Sequence, residues 1–224
     1  MDGNGRWASK LGQPRTFGHL QGSDNVKTIT VEADALGVEV LTLYAFSTEN
    51  WVRPAKEVSY LMRLPRVFFQ KYIDELMEKK VRVTTIGDLS KFPPATAKAL
   101  QEAKDRTAAN DGLILNFAMN YGSRTEILQA VAKAIIEAKA KEDFVLSTEV
   151  FESYLDTAGL PPVDLLIRTG GDCRLSNFLL YQLAYSELLF VQETWPEFTP
   201  ARFRECLREF SKRQRRYGGL VNNA

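Results

Sequence analysis

Five short apolar segments alternate with longer segments of helical periodicity, and this alternation restricts the fold more than any other feature of the sequence. The apolar segments are residues 41–46, 81–86, 113–118, 163–167 and 188–191. They are rich in β-branched residues or continuously apolar, as strands covered on both faces tend to be. Strands that alternate with helices in this order predict an α/β fold with a mostly parallel central sheet flanked by helices.

The helices are predicted from capping residues and from the spacing of apolar side chains. Ser23 can cap a helix that ends near Gly37, and Thr199 followed by Pro200 opens the last helix. The other predicted helices span residues 58–80, 94–108 and 123–141.

The helix over residues 58–80 carries more apolar residues than one face of a helix usually needs. Pro65 lies inside it and is expected to kink it, because proline removes one backbone hydrogen bond. These residues are typical of ordinary core. Together they could also line an apolar tunnel between the sheet, this helix and the helix over residues 94–108.

Composition indicates one globular domain over residues 1–224. The chain is 45% hydrophobic and 25% charged, so it can bury a substantial core. Its formal net charge of +1 argues against a protein that binds nucleic acid through the phosphates. Cys173 and Cys206 are too few for a disulfide framework, and no apolar run approaches the length of a membrane span, so we expect a cytoplasmic protein.

Glycine and charged residues are concentrated near residue 1. The backbone N–H groups of Gly3 and Gly5 can approach phosphate oxygens closely, and Arg6 and Arg15 supply positive charge. A carboxylate at Asp2 fits this setting if Mg²⁺ bridges it to the phosphates. An ordinary Gly/Asn turn with incidental charges explains the segment equally well.

His19 is the one histidine of the sequence. A single histidine is more often structural than catalytic. Its position after Gly18 and near an expected helix N-terminus would also let it donate a hydrogen bond to a diphosphate oxygen.

A second polar segment, residues 46–54, follows the first predicted strand. Ser47 and Asn50 are small polar groups that can orient a substrate, and Arg53 adds a third cation. Trp51 is expected to pack on the domain. The segment could also be a capped loop with a purely structural role, although this alternative explains Arg53 less well.

A third polar segment, residues 168–178, follows the fourth predicted strand. Arg168, Arg174 and Ser176 surround paired glycines and can form a second anion site. Glu187, further along the chain, is a candidate second carboxylate for a metal. The two separate arginine sets imply two phosphorylated ligands side by side, and the sequence has neither a Walker A loop nor a dinucleotide fingerprint.

Six sequence blocks resemble the cis-prenyltransferases, and within them the bacterial undecaprenyl diphosphate synthases. The blocks are MDGNGRWA, FGHLQG, LTLYAFSTENWVRP, LNFAMNYGSR, IRTGGDCRLSNFLLYQLAYSEL and WPEF, in the family's order across nearly the whole chain. The resemblance implies a homodimeric transferase that requires Mg²⁺. It would condense isopentenyl diphosphate repeatedly onto an allylic starter, usually farnesyl diphosphate, with a new cis double bond in each cycle.

The resemblance also implies roles for individual residues. The allylic diphosphate would bind at Gly3, Asn4, Gly5, Arg6, Trp7, Arg15, His19, Trp51 and Arg53, and isopentenyl diphosphate at Arg168, Arg174 and Ser176. Asp2 and Glu187 would hold the metal, and Asp2, Ser47 and Asn50 would take part in the chemistry. Arg216 and Gly218 resemble an RxG motif that reaches the partner's active site, with residues 199–224 at the dimer interface.

Several points depart from the family pattern or stay open. Family members usually have an apolar strand directly before MDGNG, so either translation starts upstream or one central strand is missing and Asp2 is poorly anchored. Asp172 stands where glutamate is common, and Ser123 where glycine is common. Product length depends on the floor of the tunnel, for which Leu113 and the helix over 58–80 are candidates. The proton-removing base is Asp2, or a water or phosphate oxygen near Asn50.

Two other functions compete with this interpretation. One is a non-catalytic homologue that binds a partner prenyltransferase and lends it the RxG segment. The other is a phosphate-binding module or phosphatase. Peripheral contact with a membrane for product release stays open, although so apolar a product must eventually enter lipid.

Overall fold

The computed structural model describes residues 1–214, and all of its strand pairs are parallel. The strands are β1 (Val40–Ser47), β2 (Arg82–Ile86), β3 (Ile114–Tyr121), β4 (Leu165–Arg168) and β5 (Glu187–Phe190). All five correspond to apolar segments predicted from the sequence. The α/β class with a parallel sheet and flanking helices is confirmed.

Seven α-helices are described. They are α1 (Asn4–Lys10), α2 (Arg15–Ala35), α3 (Ala55–Glu78), α4 (Pro94–Thr107), α5 (Ser123–Ala140), α6 (Thr148–Ser153) and α7 (Pro200–Ser211). Short 3₁₀-helices lie at Thr48–Val52 and Trp195–Glu197. Within residues 1–214, none of the helices combines the length and the apolar character that crossing a bilayer would require.

The first long helix begins earlier than the sequence suggested. We predicted a cap at Ser23, but α2 starts at Arg15 directly after Pro14, and Ser23 lies inside it. His19 is therefore a buried residue of α2, and not a residue that precedes the helix. The chain before α2 forms another helix, α1, which the sequence analysis did not predict.

Close contact between α1 and α2 explains why a glycine-rich segment is helical here. A Cβ atom at Gly18 would lie 2.0 Å from the carbonyl oxygen of Asn4. Glycine at this position therefore lets the two helices approach each other. Packing against α2 offsets the low helix propensity of the α1 sequence.

The strands form two sheets within the described residues, where the sequence predicted one. The first sheet has the order β1-β3-β2 and the second pairs β4 with β5. A cavity of about 2180 Å³ lies between the two sheets. We call it the inter-sheet slot; residues 40–44 of β1 and 165–168 of β4 are among those that line it.

Strand β3 lies at the centre of the larger sheet, and all eight of its residues are buried. The main core packs α2, α3 and α4 around this sheet, with Leu76, Leu100 and Leu115 almost inaccessible. Polar loops leave the carboxyl ends of the strands, which is where a parallel sheet usually binds its ligand.

Candidate active site

The polar segments identified in the sequence come together at one end of the inter-sheet slot. Residues from the three segments line this single cavity: Asp2, Arg6, Ser47, Asn50, Arg53, Arg168, Arg174 and Ser176. The carboxyl ends of β1 and β4 bring the second and third segments there, and the chain before α1 brings the first.

The backbone of Asp2 is held firmly, in contrast to the expectation that it would be poorly anchored. The Asp2 N–H group donates to the Thr169 hydroxyl oxygen over 2.9 Å, and the Thr169 hydroxyl donates to the Asp2 carbonyl oxygen over 3.0 Å. The Trp195 N–H group donates to the same carbonyl oxygen over 2.8 Å.

The Asp2 carboxylate lies between two arginines. Nη2 of Arg168 is 3.0 Å from Oδ2, Nη2 of Arg6 is 3.5 Å from Oδ1, and the Gly3 N–H group donates to Oδ1 over 2.6 Å. Burial acts to raise the pKa of Asp2, but the hydrogen bonds from Arg168 and Gly3 outweigh it and hold the pKa below its ordinary value. The side chain is therefore an ionised carboxylate at neutral pH.

Arg168 and Arg174 form one cationic group with Ser176. Nη1 of Arg168 donates to the Ser176 hydroxyl over 2.9 Å and to the Arg174 carbonyl oxygen. Asp172 connects this group to the first segment, because its carboxylate lies 2.9 Å from Nη1 of Arg174 and 3.3 Å from Nη2 of Arg6. Three guanidinium groups are thus held around Asp172 and Asp2.

The other cations converge on Glu57, a residue that our sequence analysis did not single out. Its carboxylate accepts hydrogen bonds from Arg15 Nε over 3.1 Å and from Arg53 Nη1 over 3.0 Å. His19 Nε2 lies 3.0 Å from the same carboxylate. Burial favours a higher pKa for Glu57, but hydrogen bonds from Arg15 and His19 lower it overall. The spacing of four residues between Arg53 and Glu57 at the start of a helix was the available signal.

The first turn of α1 lies between the two cationic groups. A Cβ atom at Gly5 would be 2.5 Å from the guanidinium carbon of Arg15. The next residue, Arg6, faces Asp2 and Asp172 instead. Two anions bound to these groups would consequently be neighbours.

Other predicted site residues already have partners within the fold. Ser47 and Asn50 form a reciprocal capping box around the helix Thr48–Val52, with the Ser47 N–H group 3.1 Å from Asn50 Oδ1. The indole N–H group of Trp51 donates to Asn120 over 2.8 Å. Trp7 stacks on Phe17 with 5.6 Å between ring centroids.

Asn4 is only partly satisfied by its surroundings. Its side-chain amide donates to the Met1 carbonyl oxygen over 3.2 Å. Its buried Oδ1 atom has no hydrogen-bond partner among the described residues. This oxygen lies beside Gly22, where a Cβ atom would be 2.0 Å away.

Within one chain, the structure does not bring Glu187 beside Asp2. Glu187 is paired with Leu165 in the β4–β5 register, three residues before the pair that contains Arg168. Its carboxylate is ion-paired with Arg213 over 2.8 Å. The described residues contain no cluster of three or more acidic, histidine or cysteine side chains suited to a metal. Asp2 alone fits Mg²⁺, which needs only one or two carboxylates when phosphates complete its shell.

The RxG residues Arg216 and Gly218 lie outside the described residues. The two cysteines differ in accessibility. Cys173 is exposed between Asp172 and Arg174, whereas Cys206 is buried in α7 and its burial raises the pKa of its thiol.

A small apolar cavity of about 100 Å³ adjoins the Glu57 group. Asn4 and His19 line it together with apolar residues of β1, α3 and β3, including Phe68, Phe69 and Phe117. Rings of Phe68 and Phe69 pack against Phe117 with centroids 5.9 and 5.7 Å apart. This volume holds only about three water molecules, so the cavity is not the predicted tunnel.

Comparison with known proteins places the chain among prenyltransferases. Residues 1–218 match a prenyltransferase family model described as undecaprenyl diphosphate synthase. An isoprenyl transferase of Bacillus subtilis is 51% identical over 224 residues, which are 98% of this chain and 85% of that protein. A (2E,6E)-farnesyl-diphosphate-specific ditrans,polycis-undecaprenyl-diphosphate synthase of Micrococcus luteus is 50% identical over 222 residues, 98% of this chain and 89% of that protein.

A solved structure shows the same fold. It is lavandulyl diphosphate synthase from Lavandula x intermedia in complex with dimethylallyl diphosphate, with 32% identity and a TM-score of 0.94. The match covers 97% of this chain and 95% of that one.

Proposed function

This chain belongs to the undecaprenyl diphosphate synthase family of prenyltransferases, and we propose that it condenses isopentenyl diphosphate repeatedly onto farnesyl diphosphate. The product is a long-chain cis-polyprenyl diphosphate, undecaprenyl diphosphate. The observation that carries the proposal is the pair of cationic groups on either side of the first turn of α1. The identity of 50% to a farnesyl-specific relative supports the choice of starter.

In this proposal the allylic diphosphate binds between the first turn of α1 and the cations of the Glu57 group. Arg15 and Arg53 supply charge, Gly3 and Gly5 allow close approach of the backbone, and Arg6 closes the other side. Asn4, Trp7, His19 and Trp51 complete this subsite. The half-exposed guanidinium of Arg15 supports this placement.

Isopentenyl diphosphate is assigned to the other cationic group. Arg168, Arg174 and Ser176 contact its diphosphate, and the exposed side chain of Arg174 is accessible from the cavity. Arg216 and Gly218, by resemblance to the RxG motif, add contacts from the partner subunit. Because both substrates are aligned in one cavity, the bimolecular condensation becomes effectively unimolecular. This accounts for a large part of the rate acceleration.

The reaction breaks the allylic C–O bond, and the diphosphate leaves with the electron pair. The isopentenyl double bond then attacks the allylic carbon, a C–C bond forms, and a neighbouring carbon loses a proton. Negative charge builds on the leaving diphosphate, where Arg6, Arg15 and Arg53 stabilise it. Asp2, or a water or phosphate oxygen near Asn50, is the candidate base. Ser47 and Asn50 orient the reacting groups through the rigid capping box that they form.

Magnesium is the proposed cofactor, with Asp2 as its ligand on the protein. When bound, it supplies Lewis-acid stabilisation of the leaving diphosphate. Glu187 stays a predicted second ligand. Asp2 remains ionised at neutral pH because Arg168 and Gly3 lower its pKa, and an ionised carboxylate is the form that binds the metal.

The growing tail is expected to follow the small apolar cavity between β1, α3 and β3. Burial of the prenyl tail contributes roughly 0.8 kcal/mol per CH₂ group. The growing tail would therefore favour the extension of this cavity into a tunnel. Phe68, Phe69 and Phe117 occupy the path and would have to move. The length of the product depends on where that movement stops.

We also propose that the enzyme is a homodimer in the cytoplasm, with peripheral membrane contact for product release. The outward face of α5 supports a partner surface, because Leu128, Val131, Ile135 and Ile136 are all exposed there. A non-catalytic partner subunit is less well supported, since the chain retains Asp2 and both cationic groups.

Incubation with radiolabelled isopentenyl diphosphate, farnesyl diphosphate and Mg²⁺ tests the proposal. We expect chain extension that EDTA abolishes and that the variant Asp2→Ala lacks. Phosphate release without extension would indicate a phosphatase, and activity only after addition of a second prenyltransferase would indicate a partner subunit. Full activity of Asp2→Ala would contradict the role of Asp2.

A further inference from the structure

Glu57 is the common acceptor for three cationic or potentially cationic side chains that reach it from two different parts of the chain. Arg15 and His19 belong to the first turns of α2, Arg53 ends the loop after β1, and Glu57 lies in the first turn of α3. The Glu57 side chain is only 10% exposed. A buried carboxylate in this position joins the segments that carry the allylic site.

The carboxylate uses both of its oxygens. Oε2 accepts from Arg15 Nε over 3.1 Å. Oε1 is shared by Arg53 Nη1 and His19 Nε2, each at 3.0 Å, with Arg15 Nη2 at 3.4 Å. A single carboxylate therefore fixes two guanidinium planes and one imidazole ring.

Glu57 leaves part of each guanidinium free to bind an anion. Arginine has five N–H donors, and Glu57 engages only Nη1 of Arg53 and the Nε and Nη2 side of Arg15. Nη1 of Arg15 makes no contact with Glu57, and the face of the guanidinium lies against the first turn of α1, since a Cβ atom at Gly5 would be 2.5 Å from its central carbon and 2.6 Å from Nη1. The two arginines carry two positive charges against one negative, so the group keeps a net positive charge.

Without Glu57 these cations would repel one another, and the long arginine side chains would be free to leave the site. Ordering them only when a substrate binds would cost binding free energy. An ionised carboxylate only accepts hydrogen bonds, so His19 must carry its proton on Nε2. The carboxylate thus fixes the tautomer of the histidine as well.

We propose that Glu57 is the positioning residue of the allylic diphosphate site, which its carboxylate assembles by holding Arg15, His19 and Arg53 in place before the substrate arrives. This inference rests on the proposed function. It adds a residue that acts through its neighbours and touches neither substrate.

Steady-state kinetics of Glu57→Gln test it, because glutamine keeps the shape and removes the charge. We expect KM for the allylic diphosphate to rise about tenfold or more, as is usual when a residue that orients ligand-binding groups is lost, with KM for isopentenyl diphosphate within about twofold of wild type. Glu57→Asp retains the charge and should recover part of the loss. Glu32→Gln is the matched control, since Glu32 is a largely buried carboxylate paired with Arg204 over 2.6 Å.

A second measurement does not depend on turnover. NMR of the one histidine should show an Nε2–H tautomer for His19 in the wild type and a changed tautomer or titration in Glu57→Gln. Unchanged kinetics and an unchanged histidine signal would overturn the inference, as would an equal rise of both KM values in a folded variant. If Glu57→Gln does not fold, the same comparison of KM for the allylic diphosphate with KM for isopentenyl diphosphate is made on Glu57→Asp. Absence of extension by the wild type would count against the proposed function alone, and the NMR comparison would still decide on Glu57.

Discussion

The arginines of the two proposed diphosphate subsites are held by different carboxylates. Arg168 is held by Asp2 and Ser176, whereas Arg53 is held by Glu57. The two guanidinium groups share no hydrogen-bond partner among these residues. Substitutions in one group should therefore leave the other group in place.

Arg168→Lys is expected to raise KM for isopentenyl diphosphate, and Arg53→Lys to raise KM for the allylic diphosphate. Lysine keeps the charge but loses the planar pair of donors that binds phosphate and carboxylate oxygens together, so we expect an effect of about tenfold. Initial rates with each substrate varied in turn measure the two constants. Equal effects of both variants on both constants would contradict two separate subsites.

We also expect the stability of the folded protein to depend on pH through Glu57. The pKa of Glu57 in the folded protein lies below its ordinary value, so its contribution to stability is present above the ordinary pKa and is lost as the pH falls through the folded pKa. The melting temperature of the wild type should therefore decrease more steeply than that of Glu57→Gln as the pH falls below about 5. Thermal unfolding followed by circular dichroism measures both, and parallel curves would argue against the prediction.

Residue types in the sequence indicated the chemistry, but not which side chains hold one another. Arginines, glycines and Asp2 were recognisable because phosphate and metal sites need them. Glu57 was missed because an acidic residue in the first turn of a helix is common for reasons of helix stability alone. Its role depends on Arg15 and His19, which are distant in sequence and approach it only in the fold.

Among the elements, boundaries were predicted well where apolar spacing determines them and poorly where tertiary contact does. The strands and helices α3, α4 and α5 were located within a few residues. Helix α1 was not predicted, because its glycine-rich sequence has a low helix propensity, and it is helical because Gly18 admits close packing with α2. No local pattern reports such a contact.

Helix α5 has an unusual distribution of side chains. Its buried positions include the small residues Ala130 and Ala134, while Leu128 and Ile136 are 70% and 69% exposed. Large apolar residues on the outer face are costly unless another surface covers them. A second copy of the chain is the proposed cover.

Ile136→Glu is accordingly expected to shift the protein from dimer to monomer, because a charge would be buried at the interface. Analytical ultracentrifugation at several concentrations measures the change. Leu36→Glu is the control, since Leu36 is also exposed but lies at the end of α2. Dimers that persist in Ile136→Glu would show that this face is not the interface.

For the whole molecule, the fold class followed from the alternation of strands and helices, but the division into two sheets did not. Which strands pair is decided by contacts between residues far apart in sequence. Among the described residues, only β3 pairs on both sides, and the other four strands each have one partner. The inter-sheet slot lies between two of these edge strands, β1 and β4.

Hydrogen exchange should reflect this arrangement. Amides of β3 are expected to exchange most slowly, and those of β1 and β4 more rapidly, because their edges along the slot lack a pairing strand in the described residues. Exchange followed by mass spectrometry resolves the strands as separate peptides. Protection of β1 and β4 equal to that of β3 would mean that their edges are covered.

The difference in accessibility between the two thiols allows selective labelling of this enzyme. A maleimide dye should attach to Cys173 and spare Cys206, because only the former is accessible. The fluorophore would then lie between Asp172 and Arg174, beside the proposed isopentenyl diphosphate subsite. Its emission would report occupancy of that subsite in real time, without radioactivity and without introducing an engineered labelling position.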